Sequence, residues 1–244
     1  MDEKIEKLKE MIAGSDNIVF LGGAGVSTES GLKDFRSQDG IYAQKYKYPP
    51  EVMLSAGFFE NFRQEFFEFY RKNLMVCGIK PSDAHYALAD LEKVGKLKAV
   101  ITQNIDGLHQ DAGSRNVLEL HGSVKRNYCT RCGRFYSDKD IRNMELVPFC
   151  SCGGVIKPDV VLYGESLDMS VYNAAVRSVR ECDMLIVGGT SLTVYPAAGL
   201  IEYYEGERFV LINKDPTPYD SMASLVINGS IGNALRQATE EYRR

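Results

Sequence analysis

At 244 residues the chain has room for one large domain, or for one domain carrying a small insert. A hydrophobic content of 44% is ordinary for a globular protein, and a net charge of −4 argues against nucleic acid as the main ligand, which would need concentrated Lys and Arg. Residues 1–7 are charged with no apolar h-region behind them, and no apolar run is long enough to span a bilayer, so neither a secretory signal nor a membrane partner is expected. A cytoplasmic location follows as an expectation, and there the six cysteines stay reduced, so a paired set points to metal ligation in place of disulfides.

In chain order, Ile5, Leu8, Met11 and Ile12 recur at helical spacing and predict an amphipathic helix over 2–13 that stops near Gly14. Ile18-Val19-Phe20-Leu21 is a short apolar run that breaks into glycines, the pattern of a buried strand feeding a phosphate-binding turn. Residues 37–80 are crowded with tyrosine and phenylalanine around Pro49-Pro50, which predicts a loop and then helices that pack ring on ring. A helix around Ala84 to Glu92 leads to a second buried strand, Ala99-Val100-Ile101-Thr102, and a further short strand ends at Leu120. The polar, cysteine-bearing stretch 125–157 has too little apolar mass to hold itself without a staple. Beyond it come a helix over 169–181, a strand at Met184-Leu185-Ile186-Val187, a helix from about Pro196, and a strand at Phe209-Val210-Leu211-Ile212. A strand near Leu225-Val226-Ile227 and a helix from about Ile231 close the chain. Strands alternating with helices, with glycine turns after the strands, imply an α/β fold built on a doubly wound parallel sheet.

The chemistry concentrates at strand ends. Gly23-Ala24-Gly25-Val26-Ser27-Thr28 offers small residues where backbone N–H groups can approach a pyrophosphate at a helix start. It lacks the third glycine of the usual dinucleotide fingerprint and the acidic residue about twenty positions on. A second turn, Gly188-Gly189-Thr190-Ser191, can line the same crevice. Asp34-Phe35-Arg36 supplies a cation for phosphate and a ring to cover a flat base. Gln103-Asn104-Ile105-Asp106 begins where a strand ends, and His121 follows the next short strand, so an amide, a carboxylate and an imidazole fall within eighteen residues of one another. His85 and His109 lie in helical contexts and read as structural. Cys129, Cys132, Cys150 and Cys152 read as a four-thiolate zinc site, closed to water and therefore structural, while Cys77 and Cys182 read as buried apolar thiols.

These segments, in this order, resemble the sirtuins, NAD-dependent protein lysine deacylases, over essentially the whole chain. The likeness is carried by Gly23-Ala24-Gly25-Val26-Ser27 through Ser30-Gly31-Leu32-Lys33-Asp34-Phe35-Arg36, by Thr102-Gln103-Asn104-Ile105-Asp106-Gly107-Leu108-His109, and by Glu119-Leu120-His121-Gly122. The four cysteines, Lys157-Pro158-Asp159-Val160-Val161, Tyr163-Gly164-Glu165, Gly189-Thr190-Ser191-Leu192 and Ile212-Asn213 continue it, in the compact bacterial and archaeal style. The resemblance implies a Rossmann-like NAD-binding domain (1–36, 81–124 and 158–244), a cofactor loop and helical module (37–80) and a zinc-ribbon insert (125–157).

By that likeness NAD as co-substrate would contact Ala24, Thr28, Phe35, Arg36, Gln103, Ile105, Asp106, His121, Thr190, Ser191, Asn213, Lys214 and Ile231. An acyl-lysine peptide would add as a strand between Val160-Val161-Leu162 and Val194-Tyr195. His121 would be the general base on a ribose hydroxyl, Asn104 would position the ribose and a water, and Asp106 would help form the nicotinamide pocket. The products would be free lysine, nicotinamide and O-acyl-ADP-ribose, and the enzyme a monomer.

The chain departs from the family pattern at Gly22, Asp111 and Leu162-Tyr163. Glu68-x-x-Arg71 stands as the nearest counterpart of the desuccinylase Tyr-x-x-Arg, and a carboxylate there would favour neutral acyl chains. Two other activities suit the same scaffold. One is mono-ADP-ribosyl transfer to protein side chains, and the other is NAD sensing without catalysis, which the presence of Asn104, Asp106 and His121 disfavours.

Overall fold

The computed structural model describes residues 2–34 and 40–243, so Phe35 and Arg36 lie outside the described residues. The chain runs through α1 (Asp2–Ala13), β1 (Ile18–Gly22), α2 (Gly25–Thr28), α3 (Pro50–Met53), α4 (Ala56–Asn61), α5 (Arg63–Asn73), α6 (Asp83–Lys93) and β2 (Leu97–Thr102). It continues through α7 (Leu108–Asp111), β3 (Val117–Glu119), β4 (Gly122–Cys129), β5 (Phe135–Ser137), α8 (Asp138–Arg142) and β6 (Ile156–Val160). The last stretch holds α9 (Met169–Glu181), β7 (Met184–Gly188), β8 (Arg208–Asn213), β9 (Leu225–Asn228) and α10 (Ile231–Ala238).

Six strands form one parallel sheet in the order β3-β2-β1-β7-β8-β9. Chain order runs outward in both directions from the β1–β7 pair, so the sheet is Rossmann-like and its switch point lies there. The apolar runs of its strands are divided by the pleat. Ile18 and Phe20 of β1, Met184 and Ile186 of β7, and Val210 and Ile212 of β8 join one core with α1, α6 and α10. The alternate residues Val19, Leu21, Leu185, Val187, Phe209 and Leu211 join a second core under α9 and the segment after Pro196. Helices on both faces explain why these strands show no polar alternation.

The segment after Pro196 is a 3-10 helix, Ala197–Tyr203, and not the α-helix its position suggests. Ala197 and Leu200, like Ala198 and Ile201, are buried pairs three residues apart, and a 3-10 helix stacks positions i and i+3 on one face. The strand expected to end at Leu120 ends at Glu119, although the Leu120 N–H still donates to the Thr102 carbonyl.

The second sheet is antiparallel, β5-β4-β6, and carries the cysteines. Its core is not its own. Phe58, Phe59, Phe66, Phe67 and Tyr70 of α4 and α5 share one buried cluster with Val124, Ile141, Val155, Ile156, Val160 and Leu162. Some rings pack edge to face, as between Phe59 and Phe66 at 5.1 Å and Phe66 and Phe67 at 5.3 Å, while Phe66 and Tyr70 stack at 5.8 Å. The aromatic helices and the cysteine-bearing sheet therefore bury each other. Of the two remaining cysteines, Cys182 is buried and its thiol is pushed up to about 12 by that burial. Cys77, expected to be buried, is exposed in the loop between α5 and α6, and receives a hydrogen bond from the Arg142 guanidinium.

His85 and His109 are structural. Both are fully buried, with ring centroids 4.6 Å apart, between α6 and α7 and beside Phe20. The Ser82 N–H donates to His85 Nδ1 at 3.1 Å, which places the ring proton of His85 on Nε2. Burial lowers their pKa values from the ordinary 6.5 to about 4 for His85 and about 3 for His109. The unfolded chain therefore binds protons that the folded chain refuses. Stability is complete above pH 6.5 and falls as the pH drops toward 4, by about 1.4 kcal/mol per pH unit per imidazole. Urea titrations from pH 7 to 4 should show this slope, and a His85→Phe variant should lose about half of it. A slope unchanged in the variant would remove His85 as its source.

Candidate active site

The carboxyl ends of β1 and β7 lie side by side, with Gly22 opposite Gly188. The turns that follow are packed backbone to backbone: the Gly25 N–H donates to the Gly189 carbonyl at 2.8 Å. A Cβ on Gly25 would stand 2.7 Å from the Gly189 Cα, and Gly189 itself has φ +61° with Val26 N 2.5 Å from where a Cβ would be. No L side chain fits either position. What the two turns leave open is a crevice with main-chain walls at the start of α2, as a pyrophosphate requires.

That crevice is one end of a cleft of about 1120 Å³. Ala24, Thr28, Thr190, Ser191, Asn213, Lys214 and Ile231 all line it. Gln103, Asn104, Ile105 and His121 line its middle, and Val160, Val161, Leu162, Val194 and Tyr195 bound its other end. Among the described residues, every proposed site residue outside the cysteine cluster is thus on the cleft wall except Asp106.

Asp106 stands behind that wall. Its Oδ2 accepts from Ser27 Oγ at 2.7 Å and its Oδ1 from the Leu108 N–H at 2.9 Å. Burial raises its pKa, against the pull of the Leu108 and Ser27 donors. Ser27 Oγ in turn accepts from Asn104 Nδ2 at 3.1 Å, and the same nitrogen donates to the Gly23 carbonyl at 3.1 Å. Because the Gly23 oxygen can only accept, the orientation of the amide is fixed. Its donors are spent, and Oδ1 is what Asn104 can offer a ligand. Ser27, not singled out by its sequence position, joins the glycine turn, Asn104 and Asp106 into one hydrogen-bonded chain. Its only signal in the sequence was its place in the turn.

His121 Nδ1 lies 3.0 Å from the Gln103 carbonyl, which must accept, so Nδ1 carries the proton and Nε2 presents its lone pair. Burial lowers the pKa of the imidazole and the Gln103 carbonyl offsets part of that, so the ring is neutral at pH 7. Gln103 also ties the two halves of the site together, its Nε2 donating to Thr190 Oγ1 at 3.4 Å. At the far end, Lys157 Nζ donates to Glu165 at 3.0 Å and to the Val160 carbonyl at 3.0 Å, and Glu165 accepts from the Leu162 N–H at 2.8 Å, which holds the strand edge in shape. The apolar side chains Leu54, Leu74 and Ile105 line the cleft together with Tyr42, whose hydroxyl is 2.8 Å from that of Tyr163. Glu68 is exposed and takes a hydrogen bond from Gln64, and Arg71 donates to the Met144 and Glu145 carbonyls. Neither lines the cleft.

The four cysteine sulfurs all lie within 4.8 Å of one another, with Cys129 and Cys152 at 3.4 Å and Cys132 and Cys150 at 3.7 Å. A tetrahedron with Zn–S bonds of about 2.3 Å has edges of about 3.8 Å, so the spacing fits zinc and exceeds a disulfide bond. A Cβ on Gly154 would stand 2.6 Å from Cys129 Sγ, so the cradle is shaped around the sulfur. Among the described residues no helix is long and apolar enough to cross a membrane.

Known proteins share this arrangement. The family model described as the Sir2 family matches residues 23–196. An NAD-dependent protein deacetylase of Clostridium tetani (strain Massachusetts / E88) is 59% identical over 240 residues, 97% of this chain and 97% of its own. A solved Sir2 structure with a deacetylated p53 peptide and 3'-O-acetyl ADP ribose is 38% identical with a TM-score of 0.89, covering 97% of this chain and 98% of the other. A Sir2–p53 peptide–NAD+ structure is 36% identical with a TM-score of 0.84, over 97% and 98% of the two chains. With the family model matched over residues 23–196 and relatives matched over nearly the whole of both chains, this chain belongs to the Sir2 family.

Proposed function

We infer that the chain removes acetyl groups from protein lysine side chains in an NAD-dependent reaction, with residue roles as follows. The observation that carries this reading is an imidazole held through Nδ1 by the Gln103 carbonyl on the wall of a cleft that is also lined by glycine turns and a strand edge. Ala24, Thr28, Thr190 and Ser191 would hold the pyrophosphate, and Asn213, Lys214 and Ile231 the adenosine side. NAD supplies the ribose carbon that takes the acyl oxygen as nicotinamide leaves. Asn104 Oδ1 accepts from a ribose hydroxyl or a water, and Asp106, through Ser27, keeps Asn104 in place. His121 Nε2 takes the proton of a ribose hydroxyl. The acyl-lysine backbone pairs with the Val160 to Leu162 edge and with Val194-Tyr195, so its side chain enters a channel lined by Leu54, Leu74 and Ile105. That apolar lining supports a neutral acyl group.

The test is mass spectrometry of an acetyl-lysine peptide incubated with the protein. Loss of the acetyl group only when NAD is present, with O-acetyl-ADP-ribose appearing in step, is the expected result. An untouched acetyl group, followed by untouched longer acyl chains, would sink the reading. ADP-ribose mass gained by a protein would then put transferase activity in its place.

A further inference from the structure

β3 ends at Glu119 and β4 begins at Gly122, so His121 sits on the joint between the parallel sheet and the cysteine-bearing sheet. Its position depends on how that joint is fixed. The imidazole is tied to Gln103 on one side, while the His121 carbonyl accepts from the Val161 N–H at 3.0 Å on the other. β4 does not leave the joint straight. Ser123 pairs with Asp159 of β6, yet Asn127 pairs with Pro158, so four steps along β4 answer to one along β6. The surplus, Val124, Lys125 and Arg126, forms a bulge. Its near side grips the loop that carries the amide and the carboxylate, with the Val124 N–H donating to the Ile105 carbonyl at 2.8 Å.

Its far side is closed by one guanidinium. Arg126 Nη1 donates to Glu119 at 2.5 Å and Nε to Asp159 at 2.7 Å. Three strands meet in this contact: the end of β3, the bulge of β4 and the end of β6. Glu119 pairs in register with Thr102, the residue before Gln103, and Asp159 precedes Val160 and Val161. One carboxylate thus sits on the strand paired with the one that leads into Gln103, and the other on the strand that leads into Val161. The Glu119 side chain is only 7% exposed and, among the described residues, its Oε1 has no hydrogen-bond partner, which leaves Arg126 as the cation that pairs with it. A planar fork holds two carboxylates at a fixed angle, whereas the donors of a lysine ammonium rotate and set no such angle.

We propose that Arg126 is a positioning residue for the deacetylation, holding His121 and Ile105 in register by clamping β3, the β4 bulge and β6 through Glu119 and Asp159. It touches neither substrate and acts through the backbone on either side of the base. This inference rests on the deacetylase reading above.

Three variants test it: Arg126→Met, Arg126→Lys, and Arg126→Met combined with Glu119→Gln. In R126M, kcat should fall about tenfold or more while KM for NAD and for an acetyl-lysine peptide stays within about threefold, since displacement of the base touches the chemical step more than binding. R126K should recover only part of kcat. The double variant leaves no buried carboxylate unpaired, since Asp159 is 39% exposed and keeps its water, so its melting midpoint should return toward wild type while kcat stays low. Wild-type kcat in R126M, or recovery of kcat with the midpoint in the double variant, would overturn the proposal, because Arg126 would then serve only to neutralise Glu119. If R126M does not fold, the double variant carries the same comparison. A wild type without turnover would count against the deacetylase reading instead. The clamp is then read from amide exchange between Ile105 and Val124, faster in the double variant if the proposal holds and unchanged if it does not.

Discussion

Replacing His121 by alanine should lower kcat for deacetylation by about 10²- to 10⁴-fold, the range in which a positioned general base contributes. The fold should survive, because the ring is half-buried and, among the described residues, its one hydrogen-bond partner is the Gln103 carbonyl. The pH profile carries the same assignment. A general base at His121 would need the neutral imidazole, and burial lowers the His121 pKa below the ordinary 6.5. The midpoint of the acid limb of the rate profile should therefore lie below pH 6.5. Steady-state rates from pH 5 to 9, with circular dichroism to follow the fold, make both measurements. An H121A variant keeping more than about a tenth of wild-type kcat would assign the base elsewhere.

The second large effect concerns the four thiolates. Apparent binding free energies of structural zinc in small domains are about 10 to 16 kcal/mol, and that energy is folding energy where little other core exists. Here the cluster that contains Cys129 and Cys150 also contains the aromatic side chains of α4 and α5 and the cleft residues Leu54, Val160 and Leu162. Chelation should therefore loosen more than the cysteine loops. Amide exchange should rise across α4, α5 and β4 to β6 while β1, β7 and β8 stay protected, and deacetylation should be lost with the peptide edge. Mass spectrometry of exchange before and after zinc removal reads this directly. Protection and activity both intact in a zinc-free protein would show that the aromatic core holds the sheet without the metal.

The parallel sheet was legible in the sequence because its strands are buried on both faces and read as short apolar runs ending in glycine. The site was legible for a related reason: in such a sheet the functional side chains follow strand ends, where Gln103, Asn104 and His121 are found. The chemistry of the donors was not. That Asn104 can offer only its oxygen, and that Asp106 faces inward, follows from Ser27 and from the Gly23 carbonyl, partners some eighty positions away. Arg126 carried no signal because its role arises from a bulge, and a bulge is a property of pairing between strands. Cys77 misled because an isolated cysteine is usually buried, and nothing local marks its loop as exposed. The 3-10 helix at Ala197–Tyr203 was hidden for the opposite reason, since its apolar pattern over seven residues is too short to separate two helical periods.

The core shared by the aromatic helices and the cysteine-bearing sheet bears on how such chains can be recombined. The two segments are interrupted by α6, β2, α7 and β3, so they look like independent insertions into one sheet. A chimaera that took either segment alone from a relative would cut through the interface of Phe66 and Phe67 with Ile156 and Leu162. Inheritance, exchange and redesign of this half of the molecule must therefore move both pieces together, although a crossover map drawn on the chain would show them apart.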